Sequence, residues 1–434
     1  RLATFSTRFQ QVSHFREECE LCNHVSARQS PVRREFVVLD TKRRFALQEI
    51  KLVLQNRKTM EGIRRASGRA LVAVGEALGL TNIDPEPGTI FVTGGSGVIG
   101  HRVATRLLKA GYPMVRLGTR NQESLEELNK MGAEIADFSW NDESTYEKAL
   151  KGVKSVLLTI PYTQMWYKRF PAFLEACKKA GVKHFVKISF YHASKETDEL
   201  FQEIPLVREH GECDNLLIDM IQPDIQVMPF VMGPDVDVIA TDVNTERPKM
   251  SYTILYASHL MSNPFIFQGH ELHQEKSTPA TIFGASHNHG VNYVSPNDVA
   301  EVAVRCLMAP CDHFNKEYTL TGPSAITDQD VAQCLSKYLH KPIMYVDQPL
   351  DEFGVELQMS GDPKWMVADL VAIEKVKASG AEEDAAFVSE DIETICGHKP
   401  ESFEEYLLSR QEEMTAAEAG PPSELKPLKP TISA

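Results

Sequence analysis

Thr89-Ile-Phe-Val92 runs directly into Thr93-Gly94-Gly95-Ser96-Gly97-Val98-Ile99-Gly100, after which a helical segment continues from Val98 to Lys109. The order is strand, glycine turn, helix. Glycine lets the chain double back with positive φ and lets a backbone approach a pyrophosphate closely. The helix N-terminus then offers unpaired N–H groups to the anion. The stretch therefore predicts a dinucleotide site in which Thr93, Gly94, Ser96, Gly97, Val98, Ile99 and Gly100 surround the diphosphate. It also predicts that this strand is the first of an α/β sheet.

Working outward, Met114-Val-Arg-Leu-Gly-Thr119 reads as the second strand, ending where an adenosine ribose would sit. Folds that prefer NAD place a carboxylate there, about twenty residues past the glycines. This chain has Thr119, Arg120 and Asn121, with no acid before Glu123. A guanidinium pairs well with a 2′-phosphate, so the expected cofactor is NADPH. A helix around Leu125 to Met131 leads to a strand Ala133-Glu-Ile-Ala136, and Asp137 at its end is placed to accept from the adenine amino group. A helix from about Ser144 precedes the strand Val156-Leu-Leu-Thr-Ile160, which breaks at Pro161. Ile160 and Pro161 are expected near the diphosphate or nicotinamide ribose. His184-Phe-Val-Lys-Ile188 forms a fifth strand and delivers Ser189 at its end. Strands and helices alternating in this way describe a doubly wound parallel, Rossmann-like sheet covered on both faces.

The 434 residues are 42% hydrophobic and 24% charged, which excludes collagen-like, wholly disordered and membrane-embedded classes. No run of about 18 apolar residues is present to span a bilayer. Eight cysteines are too sparse for a disulfide scaffold and suggest free thiols in a reducing compartment. The net charge of -14 is unevenly spread: residues 1–87 hold 15 Lys and Arg against 10 Asp and Glu. That basic segment precedes a strongly acidic body. Its first sixteen residues carry Arg1, Arg8 and Arg16 and no acid, with Leu2, Phe5, Phe9 and Val12 at helical spacing. This pattern is that of an organellar import signal, mitochondrial rather than plastid. From Arg43 to about Leu80, Ile50, Leu54, Ile63, Val74 and Leu78 recur at helical intervals, so residues 1–87 are expected to be a basic helical extension. Its apolar face needs a partner, either its own domain or the subunits of an organellar complex. No basic run with interleaved aromatics supports nucleic acid.

Beyond the glycine turn, four stretches resemble the NmrA-like family of atypical short-chain dehydrogenase/reductases. These are Val182-Lys-His-Phe-Val-Lys-Ile-Ser-Phe190, His210-Gly-Glu-Cys-Asp214, Tyr293-Val-Ser-Pro-Asn-Asp-Val-Ala300, and Tyr318-Thr-Leu-Thr-Gly-Pro323 with Pro342-Ile-Met-Tyr-Val346. Asp391-Ile-Glu-Thr-Ile395 with Pro400, Phe403 and Leu407 continues the likeness, which spans about Thr89 to Leu408. The resemblance implies an NAD(P)-binding domain over 88–412 with a small C-terminal α/β cap, and a helix capped by Asp298 behind the substrate pocket. A proline-rich tail is expected over 413–434.

The departures bear on chemistry. Tyr191-His-Ala-Ser-Lys195 has the form of the superfamily's Tyr-x-x-x-Lys pair, but it follows Ser189 too closely to lie on the next helix. Where the pair belongs the chain offers His210 and Asp214, so Ser189 and His210 are the candidate catalytic residues. Val227-Met228-Pro229 stands where relatives commonly read Leu-Arg-Pro, which weakens any borrowed substrate assignment. Cys19-x-x-Cys22 with His14 and His24, and the group His270, His273, His287 and His289, have metal-like content without metal-like spacing. Two functions are therefore expected. One is an NADPH-dependent reductase of a small carbonyl or quinone-like substrate, held between Tyr162, Ser189, His210 and the cap. The other is a non-catalytic NADPH-binding accessory or redox-sensing subunit.

Overall fold

In the computed structural model the chain is described over residues 88–160, 162–193, 199–221, 250–267, 280–383 and 388–416. The expectations for residues 1–87, Pro161, Lys195, Val227 to Pro229, His270 and His273 lie outside them.

Seven strands form one parallel sheet in the order β10-β6-β5-β4-β1-β2-β3. They are β1 (Thr89–Val92), β2 (Val115–Thr119), β3 (Glu134–Asp137), β4 (Val153–Leu158), β5 (His184–Phe190), β6 (Ser251–Ala257) and β10 (Lys316–Leu320). β1 pairs on one side with β2 and on the other with β4, so the chain direction of winding reverses at β1. Ligands of open α/β sheets bind outside the carboxyl ends of the strands at such a switch point. The doubly wound sheet expected from the alternation is thus present. β4 begins at Val153 and stops at Leu158, earlier at both ends than the sequence reading, because Thr89 pairs with Val153 and the ladder closes at Val92 with Leu157. Thr159 and Ile160 are freed to turn along the edge.

Helix α1 (Val98–Lys109) packs against α4 (Pro296–Met308), and α2 (Phe170–Ala180) packs against α3 (Pro205–Ile221). Phe91, Phe138, Tyr146, Phe173 and Phe185 fill the core beneath α2 and α3. Pro at N1 and the Ser295 hydroxyl, which accepts from Asn297 N, start α4. Asp298, expected as that helix's cap, sits in its first turn, and its carboxylate accepts from Glu401 N at 2.7 Å instead.

The C-terminal cap has a three-stranded sheet of β7 (His259–Leu260), β9 (Val291–Val294) and β11 (Ala325–Ile326), and a parallel pair of β8 (Ala280–Gly284) and β12 (Ile343–Asp347). Helices α5 (Asp328–Leu339), α6 (Leu350–Met359), α7 (Lys364–Ala378) and α8 (Phe403–Ala416) complete it. α8 runs to Ala416, so the expected tail cannot begin at 413. Lys377 is buried between Asp328 at 2.8 Å and Glu374 at 2.7 Å, tying α7 to α5.

Candidate functional site

The glycine turn divides its labour residue by residue. Gly94 adopts φ +61, and a side chain there would run into the Thr159 hydroxyl. A Cβ on Gly100 would strike the Gly94 carbonyl, so this glycine lets α1 approach β1. Gly97 is different: a Cβ there meets only Gly94 O, at 3.2 Å, and its outer side is open. Gly97 is also the N-cap of α1, which has no side-chain cap and no acid in its first turn. Among the described residues, the first N–H groups of α1 therefore have neither a capping side chain nor a first-turn acid competing for them. Ser96 is exposed beside this turn, whereas Ile99 is buried and packs inward.

Thr93 is placed differently from the other turn residues. Its buried hydroxyl donates to Thr159 O at 3.0 Å and accepts from Thr159 N at 2.9 Å, while the Thr159 hydroxyl donates back to Thr93 O at 2.7 Å. The pair clamps the ends of β1 and β4 together and fixes the floor of the turn. Thr159 had no signal in the sequence, since its role exists only once β4 lies beside β1.

Thr119, Arg120 and Asp137 stand together at the carboxyl ends of β2 and β3, with Thr119 paired to Asp137 in register. The Thr119 hydroxyl is engaged locally, donating to Asn121 O at 3.0 Å and accepting from Asn121 N. Arg120 is exposed, with no carboxylate paired to it among the described residues. Asp137 is exposed.

Ser189 and His210 are brought together, their Oγ and Nδ1 3.3 Å apart, inside a buried group of four. Lys187 Nζ lies 2.6 Å from Asp214 Oδ1, 3.2 Å from Ser189 Oγ and 3.2 Å from His210 Nδ1. The Ser189 hydroxyl donates to the other Asp214 oxygen. A lysine ammonium only donates, so His210 Nδ1 accepts and its proton sits on Nε2. Burial and the adjacent Lys187 charge hold His210 well below the usual imidazole range, which makes it neutral at pH 7. Burial raises Asp214, opposed by Lys187. His210 is wedged against the Trp166 ring at 4.8 Å. Lys187 was missed by sequence reasoning, although a lysine within a strand of continuous burial demands a partner.

Beside α3 a second polar group joins the sheet to the cap. Tyr162 Oη donates to Asp369 Oδ2 at 3.1 Å, and Asp369 Oδ1 accepts from Leu206 N at 3.2 Å. The Tyr162 ring meets Trp365 edge-on at 4.9 Å. Glu209, half-buried nearby, is pushed up to about 6 by burial and by the Asp369 charge. Asp369 and Glu209 had no motif to announce them. His287 and His289, by contrast, are not brought together as ligands: each sits with its Nδ1 3.1 Å from a separate carboxylate, of Asp347 and Glu383 respectively. Tyr191 is buried, and its N–H donates to Ala257 O.

Comparison with known proteins agrees with this architecture. The NmrA-like family model matches residues 86–210. The chain is 25% identical over 327 residues to agroclavine dehydrogenase of Claviceps fusiformis, covering 74% of this chain and 96% of that one. It is 25% identical over 317 residues to the NAD(P)H azoreductase of Xenophilus azovorans, covering 73% and 96%. Among solved structures, an NADPH-dependent quinone oxidoreductase of Escherichia coli complexed with NADPH superimposes with a TM-score of 0.57 at 22% identity, covering 74% of this chain and 99% of that one. Residues 86–210, which hold the glycine turn, Ser189 and His210, thus match the NmrA-like family, and the similar proteins found alongside it are NAD(P)-binding oxidoreductases of the atypical short-chain dehydrogenase/reductase type.

Proposed function

We propose that the protein is an NADPH-dependent reductase of a small-molecule acceptor, a quinone-like or small carbonyl compound. The observation that carries this reading is the uncapped N-terminus of α1 at the switch point, with Gly97 open on its outer side. The residues fit a dinucleotide: glycine backbone for the diphosphate, Arg120 for the 2′-phosphate and Asp137 for the adenine amino group. When bound there, the cofactor supplies a hydride to the acceptor. The chain's own work is positioning. The Thr93–Thr159 clamp holds the turn, and Ile160 leads away from it toward the nicotinamide end. The Lys187–Ser189–His210–Asp214 group keeps the end of β5 rigid.

His210, neutral and accepting through Nδ1, has no imidazolium proton to give at pH 7. Glu209, pushed up to about 6, is a carboxyl that can exchange a proton near neutrality beside Tyr162. The relatives named for azo compounds and quinones support an acceptor of that kind. The basic N-terminal pattern favours a mitochondrial setting. The other reading, an accessory subunit docked through residues 1–87, keeps the nucleotide site and drops turnover.

One assay separates the two. The full chain is supplied with NADPH and, under nitrogen, with a quinone, an azo dye and an aldehyde. Acceptor-dependent NADPH oxidation by the parent chain, lost in Gly97→Val, supports the reductase. Tight NADPH binding without turnover on any acceptor supports the subunit.

A further inference from the structure

Away from the nucleotide turn, three chemically different donors converge where α4 meets the short helix Asp391–Cys396 and the segment after it. The Glu301 carboxylate, the Cys396 thiol and the His398 imidazole each offer an atom within 4.8 Å of the other two. A tetrahedral zinc ion with bonds of about 2.0–2.3 Å holds its ligand atoms roughly 3.3–3.8 Å apart. The cluster is thus close to ligand spacing without any change of fold.

The orientation of each donor is fixed from behind. Arg305 donates to Glu301 Oε1 through NH2 at 2.9 Å and Nε at 3.2 Å, leaving Oε2 turned toward the cluster. His398 Nδ1 lies 2.8 Å from Lys399 O, which can only accept, so Nδ1 carries a proton. In the neutral ring Nε2 then points a lone pair at Glu301 Oε2, 3.4 Å away. Two acceptors facing each other at that distance need a cation between them, either a proton or a metal ion. A backbone carbonyl on the far imidazole nitrogen is also the usual outer-shell support of a metal-bound histidine. Cys396 is 8% exposed, and burial pushes its thiol up to about 12, so the sulfur holds its proton until a stronger cation replaces it. The surrounding charges are Asp298 and Glu401 on the acidic side, and Arg305 and Lys399 on the basic side.

We propose that Glu301, Cys396 and His398 form a site for one divalent transition-metal ion of the zinc type, with water as fourth ligand. The donor set of thiolate, imidazole and carboxylate suits zinc rather than magnesium or calcium. Uptake is a proton exchange without redox change. The metal–sulfur bond forms as the thiol proton leaves, and any proton on His398 Nε2 leaves as the metal–nitrogen bond forms. Each ion therefore releases one or two protons, and affinity rises with pH. The ion would staple the segment entering α8 to the middle of α4, alongside the Asp298 bond to Glu401 N.

The test is a cobalt(II) titration of the reduced, metal-free full chain, followed by absorbance and proton release in weak buffer. The expected result is saturation at one equivalent, a thiolate-to-cobalt charge-transfer band, and its displacement by zinc. Cys396→Ser should lose the band, with circular dichroism of the metal-free variant showing that it folds. His398→Ala, at an exposed position, should weaken binding by at least the roughly tenfold that loss of an outer-shell partner costs. If Cys396→Ser does not fold, the His398→Ala result decides. No band in the parent chain overturns the proposal. So does a band that survives in folded Cys396→Ser, which would place the ion on other thiols such as Cys19 and Cys22, or unchanged affinity in His398→Ala.

Discussion

Lys187 Nζ and Asp214 Oδ1 meet at 2.6 Å with neither side chain in contact with solvent, joining the middle of β5 to the middle of α3. Removing one member of such a pair strands a buried charge, whereas removing both does not. Lys187→Met or Asp214→Leu alone is expected to cost about 3–5 kcal/mol. The double variant should be more stable than the sum of the two losses by at least about 2 kcal/mol. Urea unfolding of all four proteins measures this, and strictly additive losses would show that the pair is not coupled.

The three glycines of the turn should separate by phenotype. Gly100→Ala places a methyl group against the Gly94 carbonyl, and Gly94→Ala forces a side chain onto φ +61, so both should lose stability by about 1–3 kcal/mol. Gly97→Val meets only Gly94 O, at 3.2 Å from its Cβ, so it should cost less stability than the other two while losing nucleotide binding. Thermal unfolding and nucleotide titration on the same preparations check this. Normal binding by folded Gly97→Val would make that glycine purely structural.

Buried histidines give a pH dependence of known sign. His184 hydrogen-bonds Ser251 at 2.8 Å and Thr253 at 3.2 Å, and burial holds it down to about 3. The unfolded imidazole titrates near about 6.5, so between these values the unfolded state binds more protons. The stability that neutral His184 contributes is complete above pH 6.5 and is lost as pH falls, by roughly 1.4 kcal/mol per unit. Asp298 is pushed up to about 6 by burial and works in the opposite direction, so the parent curve alone is not decisive. The stability difference between the parent and His184→Gln should shrink steadily from pH 6.5 to 4. A difference independent of pH would contradict the assignment.

How legible these features were in the sequence follows from the range of the contacts that make them. The glycine turn and α1 are local: Gly94, Gly97 and Gly100 act on one another across six residues, and the sequence reading placed the helix at Val98–Lys109 as found. Ser189 and His210 could be paired because the strand and the next helix each carried a recognisable segment. The Thr93–Thr159 clamp, the Tyr162 bond to Asp369 and the Lys377 pair with Asp328 join residues 66, 207 and 49 positions apart. No periodicity encodes such partners. Lys187 lay between these cases: its strand was identified, and its burial would have required an acid, but only the packing of α3 shows that the acid is Asp214.

The central claim is that the ends of β1, β2 and β3 form an NADPH site, and the most direct measurement is a fluorescence titration of the full chain with NADPH and NADH. A charge-assisted pair between Arg120 and the 2′-phosphate contributes roughly 1.5–3 kcal/mol, so NADPH should bind at least about tenfold more tightly. Arg120→Ala should abolish that preference while leaving NADH affinity unchanged. Equal affinities in the parent chain, or a preference that survives Arg120→Ala, would contradict the account.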